Sequence, residues 1–515
     1  MRADILAKHW SGPIGSLIDG AIVPGEGAPI GLVCPATEEP LATYADAGAA
    51  IAARAHAAAE RGGAAWRALA ASKRGEILMR AADLVARDAE ALATVEALVA
   101  GKPIRDARAE AGRVAEMFRY YAGFADKIEG RVVPVASGHL TLVTPEPLGT
   151  IVQITPWNAP LFTAGWQLAP ALAAGNAAIL KPSEWTPVTS LMLGRLLIEA
   201  GVPAGAVGVV AGFGHTAGAA LVSDPRCGKA VFVGSVPSGR KVAALAAAAG
   251  RPSLLELGGK SAMVVFADAD LAGAATCAQG AIFAAAGQSC TAGSRLLVER
   301  PVYERVLSWL VEGAAKLRVG DPLDPATEVG PLQNARQYAS VRAAIAAARD
   351  AGARLVLGGG RPAALGEGPG YFVAPTIFAD VAPEMPIARE EIFGPVLAVI
   401  PFEGEEEAVA LANATEFDLA GAVWSRDGAK ALRVARRLRA GSVWVNGYRT
   451  LSVQAPFGGM RGSGFGRSSG AEVMAEYTQA KSLWIETAES PVLAFGYAPG
   501  TIDRRGTTGG NPVQD

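Results

Sequence analysis

Cys290 stands in the stretch FAAAGQSCTAGSR, residues 283 to 295, among the small or hydroxyl-bearing residues Ser289, Thr291 and Ala292. Such an open setting lets a carbonyl carbon approach the sulfur and lets nearby amides donate to an oxyanion. A thiolate is also the strongest ordinary side-chain nucleophile. Taken alone, a single cysteine is more often a small buried hydrophobe, and the context has to overturn that reading. Glu256, in LLELGGKSA, ends an apolar run directly before Leu257 and the Gly258-Gly259 pair. A carboxylate where a strand emerges suits a general base, and it also suits a cap or a surface ion pair. Asn158, in QITPWNAP, lies in a proline-flanked turn after a strand, so its amide either donates to a developing oxyanion or serves the turn alone.

Two glycine-bearing junctions, GFGHTAG (212 to 218) and FVGSVPSGR (232 to 240), have the texture of a strand passing into a helix. Each suits a phosphate near a helix N-terminus, although neither keeps the GxGxxG spacing. In ILKPSEWTP, Lys181, Ser183 and Glu184 follow a strand. An ammonium and a carboxylate there can grip ribose hydroxyls; the alternative is a charged loop before a helix capped by Ser183 or Thr186.

The elements that must position these groups show in the periodicity. Residues 49 to 103 carry apolar side chains at three- and four-residue spacing, with Gly101 and Pro103 as a stop, which predicts a helical layer. Beyond residue 130 the chain alternates in GHLTLVTPEPLGTIVQITP. Short apolar runs then follow (AAILKPSE, VGVVAGFG, KAVFVGS, SAMVVFAD) with helical stretches between them. That rhythm predicts a parallel α/β sheet with ligands at its strand ends. A second α/β run after Gly287, through SRLLVERPVYERVLSWL, ARLVLGGG, PVLAVIPFE, LAGAVWS and GSVWVNG, predicts a second domain.

Composition narrows the function classes. With 50% hydrophobic and 19% charged residues the chain has ample material for a large core. A net charge of −2, with basic clusters such as RVARRLRAG at helical spacing, argues against nucleic acid or a membrane as partner. The four cysteines form no CxxC pair and the four histidines are scattered, so no protein metal site is expected. Neither a signal segment nor an apolar stretch of about 18 residues is apparent, which predicts a cytoplasmic protein.

Taken in order, ITPWNAP, LKPSE, GFGHTAG, FVGSVPSGR, ELGGKSA, GQSCTAGSR, VGDPLDPATEVGPL, EEIFGPVL, VNG and PFGGMRGSGFGR resemble the aldehyde dehydrogenase superfamily over residues 15 to 486. Glu256 and Cys290 lie 34 positions apart, the family's spacing of base and nucleophile. The resemblance implies two Rossmann-like α/β domains plus a protruding β oligomerisation element. The dinucleotide-binding domain would take 1–128 and 148–258, the catalytic domain 259–476, the oligomerisation strands 129–147 and 477–490, and a C-terminal tail 491–515. The implied activity is NAD(P)-dependent oxidation of an aldehyde to its acid through a cysteine thiohemiacetal and thioester. Cys290 is the implied nucleophile, Glu256 the base that activates water, and Asn158, with the Cys290 amide, the oxyanion donor. Members that pass the acyl group to coenzyme A generally lack the glutamate, so Glu256 implies hydrolysis. A cysteine hydrolase and a silent binding protein of the same fold are the alternatives.

The resemblance also assigns cofactor residues. Lys181, Ser183 and Glu184 face the adenosine ribose, Phe232, Gly234 and Ser235 the pyrophosphate, and Glu391 and Phe393 the nicotinamide ribose. Ile154, Trp157, Gly214, Gly218 and Leu257 complete the set. Glu184 favours NAD because a carboxylate repels a 2′-phosphate, while Lys181 and Ser183 leave NADP open. Ala159, Phe162, Trp166, Ser289, Thr291, Leu451 and Phe457 match the substrate-lining positions. Ala159, where many members carry an aromatic, implies a wide tunnel. Gln167 replaces a common cation and His215 a frequent proline. The wall suits apolar or aromatic aldehydes, and Arg449 near the mouth leaves acidic semialdehydes open. The open strands RVVPVASGHLTLVTPEPLG and KSLWIE imply a homodimer or homotetramer. The apolar run Val492, Leu493, Phe495 and Tyr497 is expected to dock on a neighbouring subunit near the tunnel mouth.

Overall fold

The computed structural model describes residues 2–135 and 138–488. Two compact units divide the chain, Met1–Ile128 with Pro147–Thr478 and Glu129–Glu146 with Gln479–Asp515. The run Val492 to Tyr497 lies outside the described residues.

Among the described residues the larger unit holds two large sheets and two two-stranded ones. The first has eight strands, ordered Ala21–Val23, Ser16–Ile18, Val207–Val209, Ala177–Lys181, Thr150–Ile154, Cys227–Val233, Ser253–Glu256 and Gly464–Phe465. The five strands from Val207–Val209 to Ser253–Glu256 run parallel; Ser16–Ile18 and Gly464–Phe465 pair with them antiparallel, and Ala21–Val23 pairs antiparallel with Ser16–Ile18. Chain order runs outward from Thr150–Ile154 on one side and from Cys227–Val233 on the other. The two neighbours therefore form a topological switch point, where diverging connections leave a crevice at the strand ends. Asn158 follows the first of them and Gly234 and Ser235 follow the second, so the order of strands puts both turns at one crevice.

The second sheet is ordered Arg354–Leu357, Thr376–Ala379, Val396–Phe402, Arg295–Glu299, Ala262–Val265, Ala420–Trp424 and Ser442–Val445, parallel apart from its first pair. The central strands of both sheets are buried on both faces, which explains continuous apolar runs in place of alternation. Cys290 enters the N-terminal end of Arg295–Glu299, and Glu391 to Phe393 enter the N-terminal end of Val396–Phe402.

The helical layer is formed by Gly48–Ala68, Ala71–Arg87, Ala89–Ala100 and Ile104–Ala122. Helix Ala89–Ala100 ends on Gly101, whose left-handed φ of 73° closes the last turn before Pro103. Trp66 is fully buried and donates its indole N–H to the Leu172 carbonyl at 2.9 Å, tying this layer to helix Pro160–Ala173, which follows Asn158.

The smaller unit is a three-stranded sheet of Arg131–Val133, His139–Pro147 and Thr478–Glu486, with His139–Pro147 central. Thr478–Glu486 is an edge strand exposed along nearly its whole length, and it carries Leu483, Trp484 and Ile485 into solvent. No helix among the described residues is long and apolar enough to cross a membrane.

Candidate active site

A cavity of about 530 Å³ in the larger unit brings together Cys290, Glu256 and Asn158, residues from three separate connections. Its wall also contains Trp157, Ala159, Phe162, Trp166, Gly234, Ser235, Leu257, Ser289, Thr291, Glu391, Phe393, Leu451 and Phe457.

The Gly258-Gly259 pair explains how these connections meet. A Cβ on Gly258 would stand 2.0 Å from Oε2 of Glu391, and one on Gly259 would stand 2.4 Å from the carbonyl oxygen of Cys290. Only the absence of side chains lets the Cys290 backbone and the Glu391 carboxylate close against the strand that ends in Glu256. The Gly259 N–H donates to Oε1 of Glu391 at 3.0 Å. From the other side, the Leu257 N–H donates to the Ser463 carbonyl at 3.1 Å and the Ser463 hydroxyl to the Gly258 carbonyl at 2.7 Å. The PFGGMRGSGFGR segment thus acts as a brace for the Glu256 strand.

Before Cys290 the chain turns sharply, with Ala285 and Ala286 at φ of 53° and 54°. Two non-glycine residues in the left-handed region store strain of about 1–3 kcal/mol each, held by the surrounding packing. Gln288 helps to hold it: its Oε1 accepts from the Gln333 N–H at 2.9 Å. Its carbonyl accepts from Nδ2 of Asn158, also at 2.9 Å. One Asn158 N–H is therefore used to fix the amide, and the second is left to donate elsewhere.

The electrostatics follow from burial. Although Cys290 keeps partial exposure to the cavity, protein atoms crowd its thiol and push it up to about 12, helped by the negative charges of Glu256 and Glu391 and opposed by Arg449. Burial raises the Glu256 carboxyl to about 8 against the pull of Arg467, and its Oε1 has no hydrogen-bond partner. Glu391 is raised to about 7, again by burial, with the Gly259 N–H and Lys260 opposing. A thiol and an unpartnered carboxyl facing one cavity, beside an amide donor, can support covalent attack on a carbonyl followed by base-assisted attack of water.

The remaining expected residues lie off the cavity wall. Ile154 and Lys181 end adjacent strands, and Phe232 lies one residue before the end of its own. Lys181 is buried, its Nζ 3.8 Å from Glu184, and burial lowers its pKa. Gly214 and Gly218 bound a single π-helical turn, and a Cβ on Gly218 would meet both Lys181 and Ile154. His215 stacks on Phe213 at 5.3 Å. Ser183 is buried in the turn beside Glu184, where its hydroxyl accepts from the Trp185 N–H. Gln167 is buried with neither amide atom paired.

Sequence reasoning missed part of the wall. Helix Ile104–Ala122 contributes Glu110 and Arg113, and helix Ala335–Asp350 opens with Asn334 as its cap, accepting from the Gln337 N–H at 2.8 Å. The Gln337 amide in turn donates to the Ile392 and Phe393 carbonyls at 3.0 and 2.9 Å, holding the Glu391 loop. The N-cap signal of Asn334 was readable; its target was not. None of the four histidines lines the cavity. Among the described residues no cluster of metal-ligating side chains occurs.

The sequence pattern of the aldehyde dehydrogenase family matches residues 22–483. A betaine aldehyde dehydrogenase of Cereibacter sphaeroides is 44% identical over 487 residues, 94% of this chain and 98% of that protein. The crystal structure of an NAD-dependent aldehyde dehydrogenase from Sinorhizobium meliloti superposes with a TM-score of 0.92 at 39% identity, covering 96% of this chain and 98% of the other. That of a betaine aldehyde dehydrogenase from Staphylococcus aureus in complex with NAD+ gives 0.91 at 34% identity, with 96% and 98% covered. With its sequence and fold matched across nearly its whole length, the chain belongs to the aldehyde dehydrogenase family.

Proposed function

We propose that the protein oxidises a small-molecule aldehyde to its carboxylic acid, with NAD+ and water, through covalent attachment to Cys290. The observation that carries this reading is the meeting of the Cys290 thiol, the unpartnered Glu256 carboxyl and the Asn158 amide in one cavity. The Cys290 sulfur, once deprotonated, adds to the aldehyde carbon. The oxygen that becomes negative is held by the second Asn158 N–H and the Cys290 backbone N–H, worth about 10²- to 10³-fold per donor. NAD+, when bound, supplies the acceptor for the hydride that leaves this carbon. Glu256 then takes a proton from water, whose oxygen attacks the thioester carbon; the carbon–sulfur bond breaks and the acid leaves. The cysteine-hydrolase alternative would need a histidine at Cys290, and no histidine lines the cavity.

The residues fit the dinucleotide. Helix Val236–Ala248 begins at Ser235, in extended conformation and without a side-chain cap, while Gly234, Ser235 and Ser238 line the cavity. Its free first-turn N–H groups and positive dipole end suit a pyrophosphate. Glu391, beside Trp157 and Phe393 that meet edge-on at 5.4 Å, would hold the nicotinamide ribose. Lys181 and Glu184 suit the adenosine ribose, and the Glu184 carboxylate favours NAD over NADP. The NAD+ complex of the Staphylococcus aureus relative supports the same choice.

The wall of Ala159, Phe162, Trp166, Ser289, Thr291, Leu451 and Phe457 is assigned to the substrate. The exposed apolar edge strand Thr478–Glu486 supports assembly as a homodimer or homotetramer, since a bare edge invites pairing. Four unpaired cysteines support a reducing, cytoplasmic compartment.

Cys290→Ala tests the reading: aldehyde-dependent NADH formation should vanish while NAD+ still quenches tryptophan fluorescence. NADH formation close to wild type would overturn it.

A further inference from the structure

The cavity does not end at the aromatic wall. A second hollow of about 330 Å³ shares Arg113, Phe162, Trp166 and Leu451 with the first, so the two adjoin along that wall and are taken as the inner and outer chambers of one channel. Beyond Cys290 the passage is apolar and aromatic: Phe162 lies tilted on Trp166 at 5.1 Å, and Trp166 meets Phe457 edge-on at 5.9 Å. On both sides of that neck the lining carries charge.

Arg113, exposed on helix Ile104–Ala122, lines both chambers, and Arg449 lines the inner one. Neither guanidinium has a carboxylate within 4 Å among the described residues. Nη1 of Arg449 approaches the Gly280 carbonyl at 3.5 Å, and Asp106 lies within reach of its charge. The other charges nearby are largely spoken for. Glu110 is bound to Lys102, and Arg119 in the outer chamber donates to Asp83 at 3.1 Å. Glu116 is the remaining carboxylate of the outer chamber, exposed on its rim. The channel thus offers a nucleophile, an apolar neck and, among the described residues, three guanidiniums without a close carboxylate: Arg336 beside Asn334 and Gln337 at the start of helix Ala335–Asp350, and Arg113 and Arg449 on the side of the aromatic wall.

We propose that this channel selects aldehydes bearing a carboxylate remote from the carbonyl, joined to it through an apolar or aromatic spacer, with Arg113 and Arg449 as the specificity-determining residues. The inference rests on the aldehyde reading above and names the substrate class of that same site. A guanidinium binds a carboxylate through paired N–H donors, whereas an uncharged aldehyde leaves both cations unmatched in a partly desolvated channel. A cationic aldehyde, although welcome to the aromatic rings, would meet two like charges.

Three probes of related size separate the outcomes: 4-formylbenzoate, 4-methylbenzaldehyde and betaine aldehyde, each assayed for Cys290-dependent NADH formation. Wild type should prefer 4-formylbenzoate over 4-methylbenzaldehyde by about 10- to 100-fold in kcat/KM, chiefly through KM, the range of a charge-assisted contact. Arg113→Gln and Arg449→Gln should each cut that ratio several-fold, and Arg113→Glu with Arg449→Glu should turn the preference toward betaine aldehyde. Added salt should narrow the ratio. A wild-type ratio at or below one, or a ratio that neither glutamine variant moves, overturns the proposal while leaving aldehyde oxidation standing. Failure of all three probes, and of short aliphatic aldehydes, to yield NADH would instead overturn the aldehyde reading itself.

Discussion

Replacing Glu256 by glutamine removes a carboxyl whose ionisation should set the pH dependence of turnover. Burial holds this group at about 8, with Arg467 the opposing influence. Only about one-tenth of it is therefore ionised at pH 7 and about nine-tenths at pH 9, so hydrolysis of the thioester should quicken roughly tenfold across that interval. In Glu256→Gln the rise should disappear and the steady-state rate should fall by about 10²- to 10⁴-fold, the usual contribution of a general base. Stopped-flow absorbance of NADH resolves the two steps. The variant should keep a first-turnover burst, because attack and hydride transfer precede the step that needs the base. Coenzyme A should not relieve wild-type turnover far beyond what water supports.

The same shift makes a stability prediction of definite sign. The folded pKa lies above the unfolded one of about 4.3, so between those values the unfolded chain binds fewer protons and stability falls as pH rises. Glu256→Gln should therefore melt higher than wild type near pH 9, which also shows that it folds. A flat wild-type rate from pH 7 to 9 with hydrolysis limiting, or a variant with undiminished steady-state rate, would refute the assignment of Glu256 as base.

Asn158→Ala should lower kcat by about 10²- to 10³-fold with NAD+ affinity retained in a fluorescence titration, since it deletes an oxyanion donor. Gly259→Ala introduces a Cβ that would stand 2.4 Å from the Cys290 carbonyl oxygen. The nucleophile must shift, so first-turnover NADH formation should drop by about 10²-fold or more, even in protein that melts normally. Lys260 is buried with its Nζ unpartnered; burial and the nearby Arg295 bring it down to about 7. Because its folded pKa lies below the unfolded one, the unfolded chain binds more protons between those values and stability there rises with pH. Lys260→Met should consequently raise the melting temperature more at pH 6 than at pH 9, by calorimetry, with about 1–3 kcal/mol at stake. Equal melting curves at both values would show that the ammonium is compensated.

Much of this was legible in the linear chain because it rests on local chemistry. Apolar runs punctuated by glycine and proline marked most of the major strands, since a strand buried on both faces has no polar side to hide; the four-residue strand Thr376–Ala379 went unmarked. Gly101 and Pro103 marked a helix end because backbone conformation there depends on those two residues alone. Cys290, Glu256 and Asn158 were legible as chemistry-bearing types beside small or turn-forming neighbours, and their order along the chain carried the family resemblance. What no residue could state about itself is what it faces. The Gly258-Gly259 pair reads as a flexible turn, yet its use is to admit Glu391 and the Cys290 carbonyl, groups from loops 132 and 31 positions away. Arg113 reads as one more charge on an amphipathic helix, and only the packing of that helix beside helix Pro160–Ala173 turns it into the channel. Periodicity tells which side of an element is polar; the partner opposite depends on the summed packing of distant segments, and that information exists only in the folded chain.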